Sequence, residues 1–172
     1  IIIMKYNIAL LFFLFLGTAA KAQKGTKNCN LLHQLFEKAK TNTLLTESLE
    51  SIPTEELPMW KAKTELANAK RCYVQDAFSF KLYAAEFNYA DGNKLDPVLS
   101  KQFNDIYKEL SDCLKNEFHS RLLNSDEYVL LGADMDGLGE YQHMKVNLYV
   151  LYNPADKKQT LVLSLSYDPG DK

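Results

Sequence analysis

The sequence lacks the short motifs that mark several common enzyme classes. It contains no G-x-S-x-G nucleophile turn, no phosphate-binding Walker loop and no dinucleotide fingerprint. Its three histidines, His33, His119 and His143, are scattered, and no H-x-x-x-H or C-x-x-C pair is present. Zinc sites are usually built from such closely spaced pairs. Without these motifs, the sequence does not indicate a serine hydrolase, a nucleotide-binding enzyme or a local zinc motif. We therefore expect no cofactor and no metal.

An excess of positive charge is also missing. The 172 residues include 20 Lys and Arg against 22 Asp and Glu, for a net charge of −2. Removing residues 1–22, which contain Lys5 and Lys21 but no acid, leaves 18 bases, 22 acids and a net charge of about −4. Phosphate backbones are held by clustered Lys and Arg. Nucleic acid is therefore not an expected partner.

The one long apolar run lies near the N-terminus. Lys5 precedes the run at 8–16, and Ala20 and Ala22 follow it in A-x-A spacing ahead of Gln23. This order is typical of a cleaved secretory signal peptide. The run is shorter than the roughly 20 apolar residues that a transmembrane helix needs. An uncleaved N-terminal anchor is the alternative.

We therefore expect residues 1–22 to be a signal peptide and 23–172 to form a single domain that is periplasmic or secreted, with no stable membrane insertion after cleavage. At 150 residues, the second segment has the length of one domain. With 47% hydrophobic residues and 19 Phe and Tyr in the whole chain, it also has enough apolar material for a core.

Apolar side chains recur at intervals of three and four through the first two thirds of this domain. The period is typical of amphipathic helices and predicts three of them, at 29–50, 58–90 and 97–123. The helices at 58–90 and 97–123 are separated by Asp91-Gly92-Asn93, since these residue types tolerate the left-handed backbone that ends a helix. Asp96-Pro97 then supplies an N-cap and a first-turn proline. The short connection predicts a long antiparallel helical hairpin.

From Asp126 onward the apolar period changes to two, which is typical of strands with one buried face. It predicts strands at about 127–133, 141–152 and 159–167. The expected fold class is α+β: N-terminal helices, including the long antiparallel hairpin, are followed by a three-stranded antiparallel β-meander packed on the helices. No internal repeat is visible in the sequence.

The three cysteines are disulfide candidates because the chain is expected to be exported. Cys72 and Cys113 are equidistant from the predicted hairpin turn at 91–94, so they should face each other across the two helices. We predict a Cys72–Cys113 disulfide. Three buried thiols, or a pairing through Cys29, are the alternatives. His33 lies one turn from Cys29, but nothing else in the sequence supports a catalytic pair.

The stretch LLGADMDGLGEYQHM gathers four candidate ligands or catalysts, which are Asp134, Asp136, Glu140 and His143. An EF-hand register with Gly137 at position 6 places Gly132 at position 1 and a histidine at position 12, and both are unsuitable. A looser calcium site is left open. Asp136-Gly137 between two apolar runs instead favours a hairpin turn, with Gly139 as a second flexible point.

One face of the predicted strand 141–152 carries Tyr141, His143, Tyr149 and Leu151. An exposed face rich in aromatic residues suits a protein partner, because Tyr is enriched at the centres of interfaces. The alternative is that the first helix covers this face.

The leading functional hypothesis is an exported, non-catalytic module that binds another protein, in its most specific form an inhibitor or immunity protein against a toxin or enzyme. Its expected binding residues are Asp134, Asp136, Glu140, Tyr141, His143 and Tyr149. Acidic loops of this kind can enter basic clefts and speed association.

Two other functions remain as alternatives. The chain could be a periplasmic carrier of an apolar small molecule or lipid, held between the helices and the sheet among Phe78, Phe80, Phe87, Phe103 and Phe118. It could also be a hydrolase that uses Asp134, Asp136, Glu140 or His143, although acids in an exposed turn have no burial to separate their pKa values.

Overall fold

The structure is a computed structural model, and it describes residues 23–53, 57–77 and 80–168. The predicted signal peptide, residues 1–22, lies outside the described residues. Within them, neither helix combines the length and the apolar character needed to cross a membrane.

The described residues form two α-helices and eight strands. In chain order these are α1 (Gln23–Lys40), β1 (Ser48–Ile52), β2 (Met59–Ala62), β3 (Arg71–Ala77), β4 (Phe80–Asp91), α2 (Pro97–Leu114), β5 (Phe118–Leu123), β6 (Val129–Gly137), β7 (Met144–Asn153) and β8 (Lys158–Tyr167). Two short 3-10 turns, Leu44–Glu47 and Gly139–Tyr141, lie between them.

All eight strands belong to one antiparallel sheet in the order β1-β2-β3-β4-β8-β7-β6-β5. A helix followed by a four-stranded meander therefore occurs twice, first as α1 with β1–β4 and then as α2 with β5–β8. The two halves join where β4 pairs with β8, for example at Tyr83 opposite Leu165. This repetition of architecture has no counterpart in the residue pattern of the sequence.

Both helices pack on the same face of the sheet. Alternate residues of each central strand point toward them, because successive side chains of a strand lie on opposite faces. The resulting core joins Leu32, Leu35 and Phe36 of α1 and Leu99, Phe103, Leu110 and Leu114 of α2 to Tyr83, Phe87, Met144, Val146, Leu148, Val150, Leu161, Leu163 and Leu165 of the sheet. Burying each large apolar side chain contributes about 1.5–3 kcal/mol, so this layer is the main source of stability.

The predicted helical hairpin is wrong. The described part of this segment contains β2, β3 and β4 in place of a helix, and the strands bury alternate side chains such as Cys72 and Val74 or Tyr83 and Ala85. The segment carries apolar residues and alanines at so many positions that steps of three and four can be found along with the true period of two. Pairing with β8 on one side then decides the conformation, since tertiary contacts override local propensity.

The other two helix predictions are correct in position but too long. The first helix ends at Lys40, and Ser48–Ile52 is a strand; the third ends at Leu114, and Phe118–Leu123 is a strand. The predicted N-cap is confirmed, because the Asp96 side chain accepts hydrogen bonds from the backbone of Val98 and Leu99.

The three C-terminal strands are present as β6, β7 and β8, and they form an antiparallel meander. They make up three of the eight strands in the described sheet. The expected α+β arrangement of a helical hairpin on a small meander is therefore replaced by a wide sheet covered on one side by two helices.

The disulfide joins Cys29 to Cys113, whose Cα atoms are 5.8 Å apart. The predicted Cys72–Cys113 pairing is wrong, and Cys72 is a buried free thiol in β3. The geometric premise failed because Cys72 lies on a strand rather than on the helix facing Cys113. The observed bond instead ties α1 to α2, and so links the two halves of the fold.

Candidate functional site

The sheet face opposite the helices is open. In β7, Val146 and Leu148 lie beneath the helices, whereas Lys145, Asn147 and Tyr149 point to the other side. The pleat repeats this division in β3, β4, β6 and β8. We call the side that no described helix covers the helix-free face.

A groove of about 680 Å³ runs across the centre of the helix-free face. Four tyrosines line it, Tyr73, Tyr128, Tyr149 and Tyr152, and its floor includes small and aliphatic side chains such as Ala84 and Val162. Glu86 is the one acidic or basic side chain among the lining residues. The groove is therefore aromatic and largely uncharged.

Tyr149 is held in a fixed orientation in this groove. Its hydroxyl donates a hydrogen bond of 2.5 Å to Asp134 Oδ1, while Arg121 Nη2 donates to Asp134 Oδ2 over 3.1 Å. Burial and the hydrogen bond to Asp134 raise the pKa of Tyr149 far above its ordinary value. The ring therefore stays neutral and presents the same surface across the physiological pH range.

Charged side chains also restrain the aromatic rings near β3 and β4. The Arg71 guanidinium lies 5.2 Å from the centre of the Tyr73 ring, and Lys70 Nζ lies 5.2 Å from that of Tyr89. Tyr89 donates a hydrogen bond of 2.5 Å to Glu86. Burial, together with the nearby Glu86 carboxylate, raises the pKa of Tyr73 to about 12. Cation–π contacts of this kind contribute about 0.5–1 kcal/mol at exposed sites.

Only part of the predicted site comes together. Asp134, Asp136 and Tyr149 lie on the helix-free face, and Asp134 and Tyr149 are directly bonded. Arg121 completes this group through its bond to Asp134, and sequence reasoning misses it because the apolar spacing predicts a helix over its segment. Asp136 lies opposite Lys145 of β7, two residues further along β6.

The other three predicted residues lie elsewhere. Tyr141 is buried, and its ring centre is 5.6 Å from that of Phe36 and 5.8 Å from that of Phe118. Glu140 forms an ion pair with Lys40 of α1, in which Oε2 lies 3.0 Å from Nζ. His143 lies immediately before β7, and its ring contacts that of Tyr167. Tyr141 and Glu140 thus help to attach α1 to the sheet, and none of the three side chains shares a site with Asp134.

Residues 138–143 connect β6 to β7 in a hairpin, a few residues beyond the turn expected at Asp136-Gly137, because those two residues are still paired in β6. β6 continues through Gly137, and β7 pairs with it from Lys145 onward. A Cβ at Gly137 would lie 1.8 Å from the Tyr141 carbonyl oxygen, and Gly139 has φ of +56°. Glycine is required at the first position by close packing and at the second by backbone conformation. The acidic residues of this stretch diverge instead of converging on one point.

Three of the four groove tyrosines are not predicted as binding residues from the sequence. The apolar spacing predicts a helix at Tyr73, places Tyr128 at the boundary of a strand, and places Tyr152 on the apolar face of its strand. The density of Tyr and Phe in 73–89 is typical of strands and was the signal that could have revealed Tyr73.

A second cluster lies on the helix side, beside the disulfide. His33 Nε2 is 2.7 Å from Glu117 Oε2, and His33 Nδ1 is 2.9 Å from the Cys29 carbonyl and 3.8 Å from Cys29 Sγ. Burial opposes the charged form of the ring, but the hydrogen bonds to the Cys29 carbonyl and to Glu117 outweigh it. They raise the pKa of His33 above its ordinary value.

A cavity of about 210 Å³ adjoins the disulfide between α1, α2 and the sheet. Its apolar lining includes Leu32, Leu66, Phe87, Leu110 and Leu163. Of the phenylalanines expected around an apolar ligand, Phe87 lines the cavity, Phe103 and Phe118 are buried in the core, Phe80 is exposed, and Phe78 lies outside the described residues.

Comparison of the chain with protein-family models, with curated proteins and with solved structures gave no match.

Proposed function

We propose that this chain is an exported, non-catalytic module that binds another protein through the tyrosine-lined groove of its helix-free face. The observation that carries the proposal is the groove itself, in which Tyr149 is fixed by Asp134 and Arg121. Tyrosine combines a large apolar surface with a polar tip, and it is enriched among residues that dominate binding energy.

Preorganisation supports the proposal further. An interface loses about 0.5–1.5 kcal/mol for each flexible side chain that it immobilises. The hydrogen bond to Tyr149 and the cation–π contact to Tyr73 restrict these rings before any partner arrives. A strand framework also holds them more rigidly than a loop would. Little further ordering is then needed on binding.

The most specific form of the proposal is an inhibitor or immunity protein that occupies a toxin or enzyme. Its partner would insert an apolar, protruding segment into the largely uncharged groove and place basic groups near Asp134 and Asp136. The acidic balance of residues 23–172 would favour encounter with a basic surface. The Cys29–Cys113 disulfide is compatible with an oxidising compartment.

The test is an affinity capture from envelope and secreted fractions with three matched proteins. Tyr128 and Leu122 are both more than half exposed, but Tyr128 lines the groove and Leu122 points to the other side of the sheet. A partner that binds stoichiometrically to the wild type and to Leu122→Ala, but at least tenfold more weakly to Tyr128→Ala, supports the proposal. Equal binding to both variants contradicts it.

A carrier of a small apolar molecule is the second candidate, and the cavity between the helices favours it. Its volume of about 210 Å³ is below the roughly 300–1,000 Å³ of most ligand pockets, so it ranks behind protein binding. Native mass spectrometry distinguishes the two, because a carrier retains a ligand of defined mass after purification. A hydrolase gains no support, since Asp134, Glu140 and His143 contact different parts of the structure.

A further inference from the structure

Three side chains that can bind a metal meet where α1 approaches the end of α2. One ligand atom from each of Cys29, His33 and Cys113 lies within 4.8 Å of the others, and all three residues are half-buried. The cluster is on the helix side of the sheet and plays no part in the groove. Cys29 and His33 are one helical turn apart, and the disulfide brings Cys113 to them from a sequence distance of 84 residues.

The spacing suits a tetrahedral zinc ion once the sulfurs are free. With Zn–S near 2.3 Å and Zn–N near 2.0–2.1 Å, tetrahedral ligand atoms lie about 3.5–3.8 Å apart. His33 Nδ1 is already 3.8 Å from Cys29 Sγ. The Cα separation of 5.8 Å lets the two sulfurs move apart to that distance by side-chain rotation. The backbone therefore has no need to move.

Glu117 provides the support that metal-bound histidines usually have. A ligating histidine generally bonds its other ring nitrogen to a carboxylate or carbonyl, which fixes the ring and strengthens the ligand. His33 Nε2 is 2.7 Å from Glu117 Oε2, while Nδ1 faces the sulfurs. Glu117 is itself anchored, because its carbonyl accepts a hydrogen bond from Leu138 and its N–H donates to Leu114.

We propose that reduction of the Cys29–Cys113 disulfide creates a zinc site formed by Cys29, Cys113 and His33 Nδ1, with a water in the fourth position. A dithiol reductant supplies two electrons and two protons, so that the S–S bond breaks to two thiols and the reductant becomes a disulfide. Zinc then displaces both thiol protons and binds the thiolates, and His33 Nδ1 exchanges the Cys29 carbonyl for the metal. The ion replaces the covalent tie between α1 and α2.

The experiment uses protein reduced with a phosphine and freed of reductant without oxygen. Zinc content is measured by metal analysis and affinity by competition with a chromophoric chelator, and cobalt(II) is bound as a visible probe. The expected result is one zinc per reduced chain, none retained by the oxidised chain, and a tetrahedral cobalt spectrum with thiolate charge-transfer bands. Reduced protein that retains no stoichiometric zinc overturns the proposal.

Matched variants separate this site from chance binding. His33→Ala should weaken zinc binding by at least tenfold and Glu117→Gln by about tenfold. Cys72→Ala and His143→Ala alter a thiol and a histidine outside the cluster, so both variants should bind zinc as tightly as the wild type. If the reduced chain unfolds, zinc should restore its near-ultraviolet circular dichroism, since metal binding is then coupled to folding. Failure to restore it, or equal affinity in His33→Ala and His143→Ala, overturns the proposal.

Discussion

Tyr149 of β7 donates its hydroxyl hydrogen to Asp134 of β6 across 2.5 Å, and Arg121 of β5 holds the other oxygen of the same carboxylate. Three adjacent strands thus position one groove tyrosine through a single half-buried acid. Asp134 belongs to the acidic site that the sequence predicts, and Tyr149 lines the aromatic groove. Their hydrogen bond therefore connects the predicted acid to the groove, of which the sequence reveals only a part.

Removing this hydroxyl should weaken partner binding without unfolding the protein. Tyr149→Phe keeps the ring but loses the restraint from Asp134, so we expect a three- to tenfold loss of affinity and about 1 kcal/mol or less of stability. Isothermal titration with the captured partner measures the first effect. Tyr107→Phe is the control, since Tyr107 donates a weaker hydrogen bond of 3.4 Å to Ser120 on the helix side. Equal losses in the two variants would argue against a role for the Tyr149 restraint.

Loss of the disulfide should destabilise the fold strongly. The bond closes a loop with a sequence separation of 84, for which the chain-entropy estimate is about 4.5 kcal/mol. Cys29→Ser should therefore lower the free energy of unfolding in urea by about 2–5 kcal/mol, whereas Cys72→Ala should cost less because it removes only a buried thiol. Peptide mapping without reduction should recover Cys29 linked to Cys113. A Cys72-containing bridge would contradict the structure.

The buried carboxylate of Glu47 should make stability depend on pH. Burial disfavours its ionised form, but Lys38 and Thr64 bind it strongly enough to lower its pKa. A depressed native pKa contributes stability above the unfolded value of about 4.3, and this contribution disappears as the pH falls through the native value. Glu47→Gln should therefore cost about 1–3 kcal/mol at pH 7 and progressively less below pH 4.

Urea unfolding of the wild type and Glu47→Gln between pH 7 and pH 3 measures this difference. Lys63→Gln is a suitable control because Lys63 is an exposed base whose Nζ contacts the Thr46 carbonyl rather than Glu47. A difference between wild type and Glu47→Gln that stays constant over this range would show that the ionised carboxylate contributes nothing.

Gln159 should be essential for the connection between β4 and α2. Its buried amide donates hydrogen bonds to the Gly92 and Lys94 carbonyls, and its oxygen accepts one from the Asp96 N–H. Gln159→Leu would leave these backbone groups without their partner, at a cost of about 2–4 kcal/mol. Thermal unfolding measures the effect, and Gln142→Leu at an exposed position is the control. A loss no larger than that of the control would mean that water replaces the side chain.

The sequence predicted the C-terminal strands because β6, β7 and β8 each alternate apolar and polar residues over a long span. It also predicted the Asp96 cap, since a capping interaction depends on neighbours within three residues. The hairpin between β6 and β7 was predictable for the same reason, because Gly137 and Gly139 act locally.

Residues 58–90 were not predictable in this way. Their alanines and aromatic residues satisfy both the helical and the strand period. The choice is made by the pairing of β4 with β8, whose residues lie 67 to 84 positions later in the chain. The disulfide and the groove depend on the same long-range pairing. Cys72 could be placed opposite Cys113 only if both lay on helices, and Tyr73 could join Tyr149 only in one continuous sheet.

Footprinting of the complex by hydroxyl radicals, read out by mass spectrometry, tests the central claim that the helix-free face is the protein interface. Binding of the captured partner should reduce the modification of Tyr73, Tyr128 and Tyr152 several-fold and leave Tyr107 and Val98 of α2 unchanged. Protection confined to α1 and α2, with the groove tyrosines modified as readily as in the free chain, would contradict the claim.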